Sequence, residues 1–211
     1  GLMFLETASD LDFKWDFYNN DGSSAEMCGN AARGVSLYMQ KKTGKSDFRF
    51  ATRAGEVRAH IASASMIDIE MPPLKEFQWD QLEDGLRFDF VRSGVPHVVL
   101  ATSEIENLTG LRAQAGKAKA LARFLAEGTN VTFFKALSDR QIQSITFERG
   151  VEDFTLSCGT GAVAAAYAFL RGQQGTEVQV DVPGGRLSVL FHQQRPKLKG
   201  PAHLTFEARL L

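Results

Sequence analysis

The sequence predicts an α+β protein of two pseudosymmetric halves, each a mostly antiparallel sheet or barrel wrapped around a central buried helix. Three observations predict it. The dipeptide Cys-Gly occurs twice, at Cys28-Gly29 and Cys158-Gly159, 130 residues apart, and these are the chain's only cysteines. The same offset carries Phe48 onto Val178, Phe50 onto Val180, Gly55 onto Gly185 and Val57 onto Leu187. Each Cys-Gly opens a run of small residues with few charges, and short alternating stretches follow. A repeated order of Cys-Gly, helix, strand, glycine turn and strand marks two copies of one unit.

In chain order, Leu2-Met3-Phe4-Leu5 reads as a strand already under way, and the chain opens at Gly1 without a methionine, so upstream residues are expected. Leu11–Phe17 alternates apolar and charged residues, the mark of a half-buried strand. Asn19-Asn20-Asp21-Gly22-Ser23-Ser24 is a turn cluster. A helix starts at Ala25 or Met27 and ends near Lys42, with Lys41 and Lys42 against the dipole and Gly44 as the left-handed stop. Phe48–Ala51 and Val57–Ile61 form a strand pair across Ala54-Gly55. Ile67–Met71 alternates until Pro72-Pro73, the candidate domain boundary.

Beyond that boundary, Leu86–Val91 and His97–Leu100 read as strands and the Ala-, Lys- and Leu-rich Leu111–Ala126 as a helix. Val131–Phe134 and Ile142–Phe147 are strands. Cys158 opens a helix reaching about Gly172, and Ala162–Leu170 is apolar on every side, as in a buried helix. Glu177–Val182 and Leu187–Phe191 make a hairpin about Pro183-Gly184-Gly185, and Leu204, Phe206, Ala208 and Leu210 alternate as a final strand. The expected division is 1–73 for the first half, with 203–211 a candidate to return to it, and 74–202 for the second.

Composition narrows the function. A net charge of −1 points to no nucleic acid and no anionic membrane surface. No apolar run has the length of a membrane span and no signal-peptide pattern is present. Two cysteines make no disulfide framework, so a reducing, cytoplasmic setting is expected. No dinucleotide loop, phosphate loop or metal-ligand spacing occurs, so no cofactor and no metal are expected.

The duplicated thiol carries the chemistry. At a helix N-terminus, unpaired N–H groups and the macrodipole favour a thiolate. The glycine after each cysteine allows close approach to the backbone. Free N–H groups at Gly29, Asn30, Gly159 and Thr160 then make anion cradles. If the repeat brings both helix starts together, a carboxylate lies between them with one sulfur on each face of its α-carbon. Such a pair suits inversion of a stereocentre, with a thiolate abstracting the proton and a thiol returning one from the opposite side. A structural disulfide or two buried thiols is the plainer reading, but neither needs a glycine at a helix start.

These motifs resemble those of the diaminopimelate epimerase family. Asn19-Asn20-Asp21-Gly22-Ser23 followed by Cys28-Gly29-Asn30-Ala31-Ala32-Arg33 is similar to its first cysteine motif, and Glu148-Arg149-Gly150 followed by Cys158-Gly159-Thr160-Gly161 to its second. Gly94-Val95-Pro96-His97, Gly128-Thr129-Asn130-Val131 and Pro183-Gly184-Gly185 fall in the family's order. The resemblance implies a pyridoxal-independent epimerase that interconverts LL- and meso-diaminopimelate for lysine and peptidoglycan synthesis, commonly as a homodimer. It implies Cys28 and Cys158 as the acid/bases, with Gly29, Asn30, Gly159 and Thr160 on the reacting carboxylate. Asn19, Asn130 and Arg149 would hold the substrate's distal end and Glu148 its ammonium, with His97 lining the site near the thiols. The chain departs from the family in three ways: its Gly-Asn-Asp-Phe segment is absent, Val95 replaces an Asn, and Phe154 stands where an acid is usual. The alternatives are a racemase of another amino acid on the same fold and a degenerate, non-catalytic amino-acid-binding homologue.

Overall fold

Alternating apolar residues drive most of this chain into strands, and two small-residue runs escape that pattern to become its central helices. The computed structural model describes residues 1–19, 22–71, 73–74, 76–192 and 195–208. The first half runs β1 (Leu2–Glu6), β2 (Phe13–Tyr18), β3 (Ser24–Ala25), α1 (Gly29–Thr43), β4 (Asp47–Thr52), β5 (Gly55–Ile61) and β6 (Met66–Glu70). Then come β7 (Glu76–Glu83), β8 (Leu86–Arg92), β9 (Pro96–Ala101), α2 (Leu108–Ala120) and a 3-10 turn at Ala122–Phe124. The repeat resumes with β10 (Asn130–Ser138), β11 (Gln141–Glu148), β12 (Asp153–Phe154), α3 (Gly159–Phe169), β13 (Glu177–Val182), β14 (Gly185–His192) and β15 (Arg195–Pro201).

The strands join in the order β1-β2-β4-β5-β6-β15-β14-β13-β11-β10-β9-β8-β7, with β3 on β2 and β12 on β11. Reading outward from the β6·β15 pair, the two sides match. The β4·β5 hairpin pairs Asp47 with His60 and Thr52 with Gly55. The β13·β14 hairpin pairs Glu177 with Leu190 and Val182 with Gly185, the same register shifted by the repeat offset. The parallel pairings β2·β4 and β11·β13 correspond to within one residue. At the seam, Asp68 faces Lys199 and Ile69 faces Leu198. Shifting by the offset exchanges these two pairs, so a local twofold passes between them. The fold is α+β and mostly sheet, as the duplicated motif predicts.

Helix α3 is buried on all sides, with Ala162 through Ala168 at most 2% exposed. Alanines let strands pack close against its axis, and the aromatic side chains come from outside: Tyr167 meets Phe77, Trp79 and Phe191 at 5.0 to 5.4 Å between ring centroids. Helix α1 is one-sided instead, burying Ala32, Arg33, Val35 and Ser36 while Lys41 and Lys42 face solvent. Its core partner is the cluster in which Phe13 stacks on Phe50 at 4.6 Å. A second core lies under α2, where Leu111 and Ala115 pack with Phe88, Phe90, Val98 and Phe133.

Several boundaries differ from the sequence reading. Helix α1 begins at Gly29, not Ala25 or Met27, because Ser24–Ala25 is drawn into pairing with β2. Helix α2 begins earlier, at Leu108, because Asn107 caps it by accepting a hydrogen bond from Gly110 N–H at 3.0 Å. Strands β3, β7 and β12 were not foreseen; β7 lacks clean alternation because it bulges between Gln78 and Gln81. The last strand is Arg195–Pro201, and the alternating Leu204–Ala208 stretch is irregular, with Phe206 85% exposed. Leu210, Pro72, Asn20 and Asp21 lie outside the described residues.

Leu198 sits at the seam, fully buried, with its Cδ2 beside Gly29 and Gly159. Truncating Leu198 to Ala is expected to cost about 2–5 kcal/mol through the cavity left behind. Urea unfolding at equilibrium measures it, and a loss below about 1 kcal/mol would contradict this packing.

Candidate active site

The two cysteines are N-caps of the two central helices. Cys28 has φ −141 and ψ 111, and Cys158 has φ −121 and ψ 110, so both hold extended backbone just before the helix starts. Their neighbours touch. A Cβ placed on Gly29 would lie 3.1 Å from Gly159 Cα and 3.0 Å from Leu198 Cδ2, and one on Gly159 would lie 3.0 Å from Gly29 Cα. Real side-chain carbons rarely sit so close to backbone, so glycine on both sides permits this approach without displacing either helix start. It aims two helix N-termini into one hollow, a ready anion cradle.

That hollow has a volume of about 340 Å³. From the first half it is lined by Asn19, Cys28, Gly29 and Asn30, and from the second by Asn130, Glu148, Arg149, Cys158, Gly159 and Thr160. Thus every residue expected at the site except His97 lies on its wall. A larger hollow of about 740 Å³ lies between β1, β2 and α1, but it is lined by neither cysteine.

Both sulfurs are free thiols. The Cys158 sulfur accepts from Gly161 N–H at 3.4 Å and lies 3.4 Å from Thr160 Oγ1. The Cys28 sulfur makes no capping hydrogen bond of ordinary geometry, although the N–H groups of Ala31 and Asn30 favour its anion. Position at a helix start led us to expect depressed thiol pKa values. The structure reverses that: burial pushes both thiols up, with the Glu148 carboxylate adding to it, and the backbone N–H groups recover only part.

His97 corrects the sequence reading. It is fully buried and absent from the pocket wall. Its Nδ1 lies 2.9 Å from Thr132 Oγ1 and its Nε2 3.0 Å from Thr160 Oγ1, and Thr132 in turn lies 3.0 Å from Thr146 Oγ1. It therefore reaches Cys158 through the Thr160 hydroxyl. Burial, with Arg149 nearby, holds its pKa down to about 3, so the ring is neutral at ordinary pH.

The remaining side chains are held by local bonds. Asn130 accepts from Arg149 N–H at 2.9 Å and donates to Pro96 O at 3.4 Å, which fixes the turn leaving β11. Arg149 donates to Glu127 O, and Glu148 accepts from Thr155 Oγ1. Asn19 donates to Ser23 Oγ at 3.0 Å within its turn. Asn30 donates to Ser157 O at 2.8 Å, tying the first helix start to the second.

Sequence reasoning missed Phe17, Ala25, Met27, Val151 and Ser157, all on the wall. Met27 and Ser157 each precede a cysteine, so the repeat itself could have marked them. Val95 also lines the pocket, where the resembled family carries an Asn.

The fold and the paired thiols define a class first. The structure resembles a hydroxyproline epimerase of Agrobacterium vitis with a TM-score of 0.75 at 17% identity, covering 94% of this chain and 71% of that one. It resembles a PhzF-family phenazine biosynthesis protein of Bacillus anthracis with a TM-score of 0.66 at 12% identity, covering 93% and 79%. At such identities the likeness is one of fold. Sequence is more specific: the profile of the family described as diaminopimelate epimerase matches residues 1–73 and 90–205. The diaminopimelate epimerase of Hydrogenobaculum sp. is 34% identical over 223 aligned residues, spanning all of this chain and 80% of that protein. That of Thermotoga maritima is 36% identical, spanning 89% and 75%. The chain belongs to the diaminopimelate epimerase family.

The depressed His97 pKa has a consequence for stability. The unfolded histidine takes a proton near pH 6.5 and the folded one only near 3, so its contribution is complete above pH 6.5 and is lost as pH falls toward 3. Urea midpoints between pH 6.5 and 4 are expected to drop in the parent and to drop less in His97→Gln. Parallel curves for the two proteins would contradict a neutral buried ring.

Proposed function

We propose that this chain epimerises LL-2,6-diaminopimelate to meso-diaminopimelate by proton transfer between two thiols. The observation that carries the reading is the Gly29–Gly159 contact, which turns both cysteine-capped helix starts into one pocket. The names carried by relatives at 34–36% identity over most of their length support the substrate.

In this reading residues 1–73 and 74–202 are the two halves, and the substrate's α-carbon lies between Cys28 and Cys158. One sulfur, as thiolate, takes the α-proton; the other, as thiol, returns a proton to the opposite face. The electron pair left on carbon spreads into the carboxylate, which the N–H groups of Gly29, Asn30, Gly159 and Thr160 receive with two helix dipoles behind them. Two thiols in one dry hollow cannot both ionise cheaply, since each raises the cost of charge on the other. A single negative charge shared by the pair is the composition that inversion needs. Glu148 would take the reacting ammonium, and Asn19, Asn130 and Arg149 the distal end. His97 acts from behind Thr160 as a neutral ring. No cofactor enters this scheme. The expected setting is cytoplasmic; among the described residues no helix is long and apolar enough to cross a membrane.

Val95 in the wall keeps a second substrate class in view, because it offers no hydrogen bond to a polar distal group. The experiment that decides is deuterium exchange in heavy water under reductant, with diaminopimelate and a panel of other amino acids. Label at the α-carbon of diaminopimelate is expected; label on another amino acid alone would reassign the substrate, and no exchange on any would remove the activity. Cys28→Ala and Cys158→Ala are each expected to lower net epimerisation by at least about 10³-fold with an unchanged far-ultraviolet spectrum. Near-parent activity in either would refute the two-base scheme. Because both thiol pKa values are raised, kcat/KM is expected to climb with pH from neutrality upward. A profile flat from pH 6 to 9 would contradict a thiolate base.

A further inference from the structure

Each of the two β-hairpins that follow a central helix returns to the segment leading into that helix's cysteine. The N–H of Gly184, in the turn between β13 and β14, donates to Leu156 O at 2.6 Å. The N–H of Ala54, in the turn between β4 and β5, donates to Glu26 O at 3.1 Å. Ala54 and Gly184 are 130 residues apart, and so are Glu26 and Leu156, so the repeat makes one bond twice. In both halves the acceptor is the carbonyl two residues before the cysteine. Pro183-Gly184-Gly185, a motif with no place on the pocket wall, thereby touches the segment that carries Cys158.

Cys158 is consequently held between fixed points. After it, the start of α3 rests against Gly29. Before it, both carbonyls are bonded: Leu156 O by Gly184 of its own half, and Ser157 O by Asn30 Nδ2 of the other half at 2.8 Å. With the backbone tied on both sides, the sulfur keeps little freedom beyond rotation about its own Cα–Cβ bond. The second turn also fits more tightly than the first. A Cβ on Gly184 would lie 2.8 Å from Leu156 O and 3.2 Å from Leu156 C, whereas Ala54 carries a Cβ at the equivalent place. Gly184 does not have a left-handed φ, so its backbone is open to any residue and the contact with Leu156 is what demands glycine.

We infer that the two hairpin turns are positioning elements for the thiols, each bracketing one sulfur against its helix start, with Gly184 the residue that sets Cys158. Proton transfer to a bound carbon needs each sulfur at a definite reach, and a displacement of about 1 Å costs about 10²-fold in rate. An alanine at position 184 pushes the Leu156 carbonyl away from the turn. Leu156 is 73% exposed, so the segment yields toward solvent. Cys158 then leaves its place beside the cradle and becomes more accessible. Cys28, bracketed by Ala54 in the other half, stays where it is.

The role in turnover rests on the two-thiol reading above, but the test reads the sulfurs themselves. The reduced full chain is treated with limiting iodoacetamide at one mildly alkaline pH, and alkylation at each cysteine is followed by peptide mass mapping. In Gly184→Ala, alkylation of Cys158 is expected to speed up at least about threefold while that of Cys28 stays within about twofold of the parent. Ala54→Gly, the reverse exchange at the equivalent turn, keeps the N–H and is expected to leave both rates within about twofold. With diaminopimelate, Gly184→Ala is expected to lower kcat about 10- to 10²-fold with KM within about threefold. A parent that exchanges label into no amino acid removes the epimerase reading, and the alkylation rates then still decide this one. Should Gly184→Ala fail to fold, hydrogen exchange in the parent decides, with the Gly184 and Ala54 amides expected to be protected at least about 10²-fold over unstructured peptide. A Cys158 rate that is unchanged or slowed, equal acceleration at both cysteines, an unchanged kcat in an active enzyme, or unprotected turn amides would overturn the inference.

Discussion

Everything at this site depends on two backbones touching. Gly29 and Gly159 bring the starts of α1 and α3 to within the distance that a single methyl group would close. The contact does two jobs. It points both sets of unpaired N–H groups at the same small volume, and it sets both cysteine caps on the wall of that volume. Leu198, wedged beneath both glycines from β15, carries the contact into the sheet. The β6·β15 pairing then holds the two halves in register around it.

The electrostatics of the pocket are a contest that the helix termini do not win alone. Dipoles and N–H groups favour thiolates, but burial opposes them, and Glu148 opposes them further. The balance leaves both thiols reluctant to ionise. For a proton shuttle this is useful, because one sulfur must stay protonated while the other acts.

Much of this was legible in the residues. The Cys-Gly pairs and their common offset gave the duplicated architecture, and the all-apolar Ala162–Leu170 stretch gave the buried helix. The strands Leu86–Val91 and Ile142–Phe147 were readable from their apolar content, since each is buried in a sheet. What failed failed for physical reasons. The stretch from Leu204 alternates but is followed by no partner edge, because β15 already fills the place beside β6. Short β3 and β12 exist only through pairing with β2 and β11, which no local pattern announces. His97 was expected on the wall from the resemblance alone; the structure puts its ring in the core, between the hydroxyls of Thr132 and Thr160. Arg33 stood in plain view within the first motif, but its burial against the carbonyls of Gly29 and Pro201 is a fact of three-dimensional packing.

The seam between β6 and β15 has the register of a homodimer interface, with equivalent pairs exchanged across the twofold. Two identical subunits meeting on such an axis must carry the same side chain at equivalent positions, so Arg33 of one central helix would be matched by an arginine, not Val163, in the other. Linking the copies into one polypeptide lifts that obligation. Gene fusion thereby lets the reagent on each face of the substrate be tuned by its own point mutations.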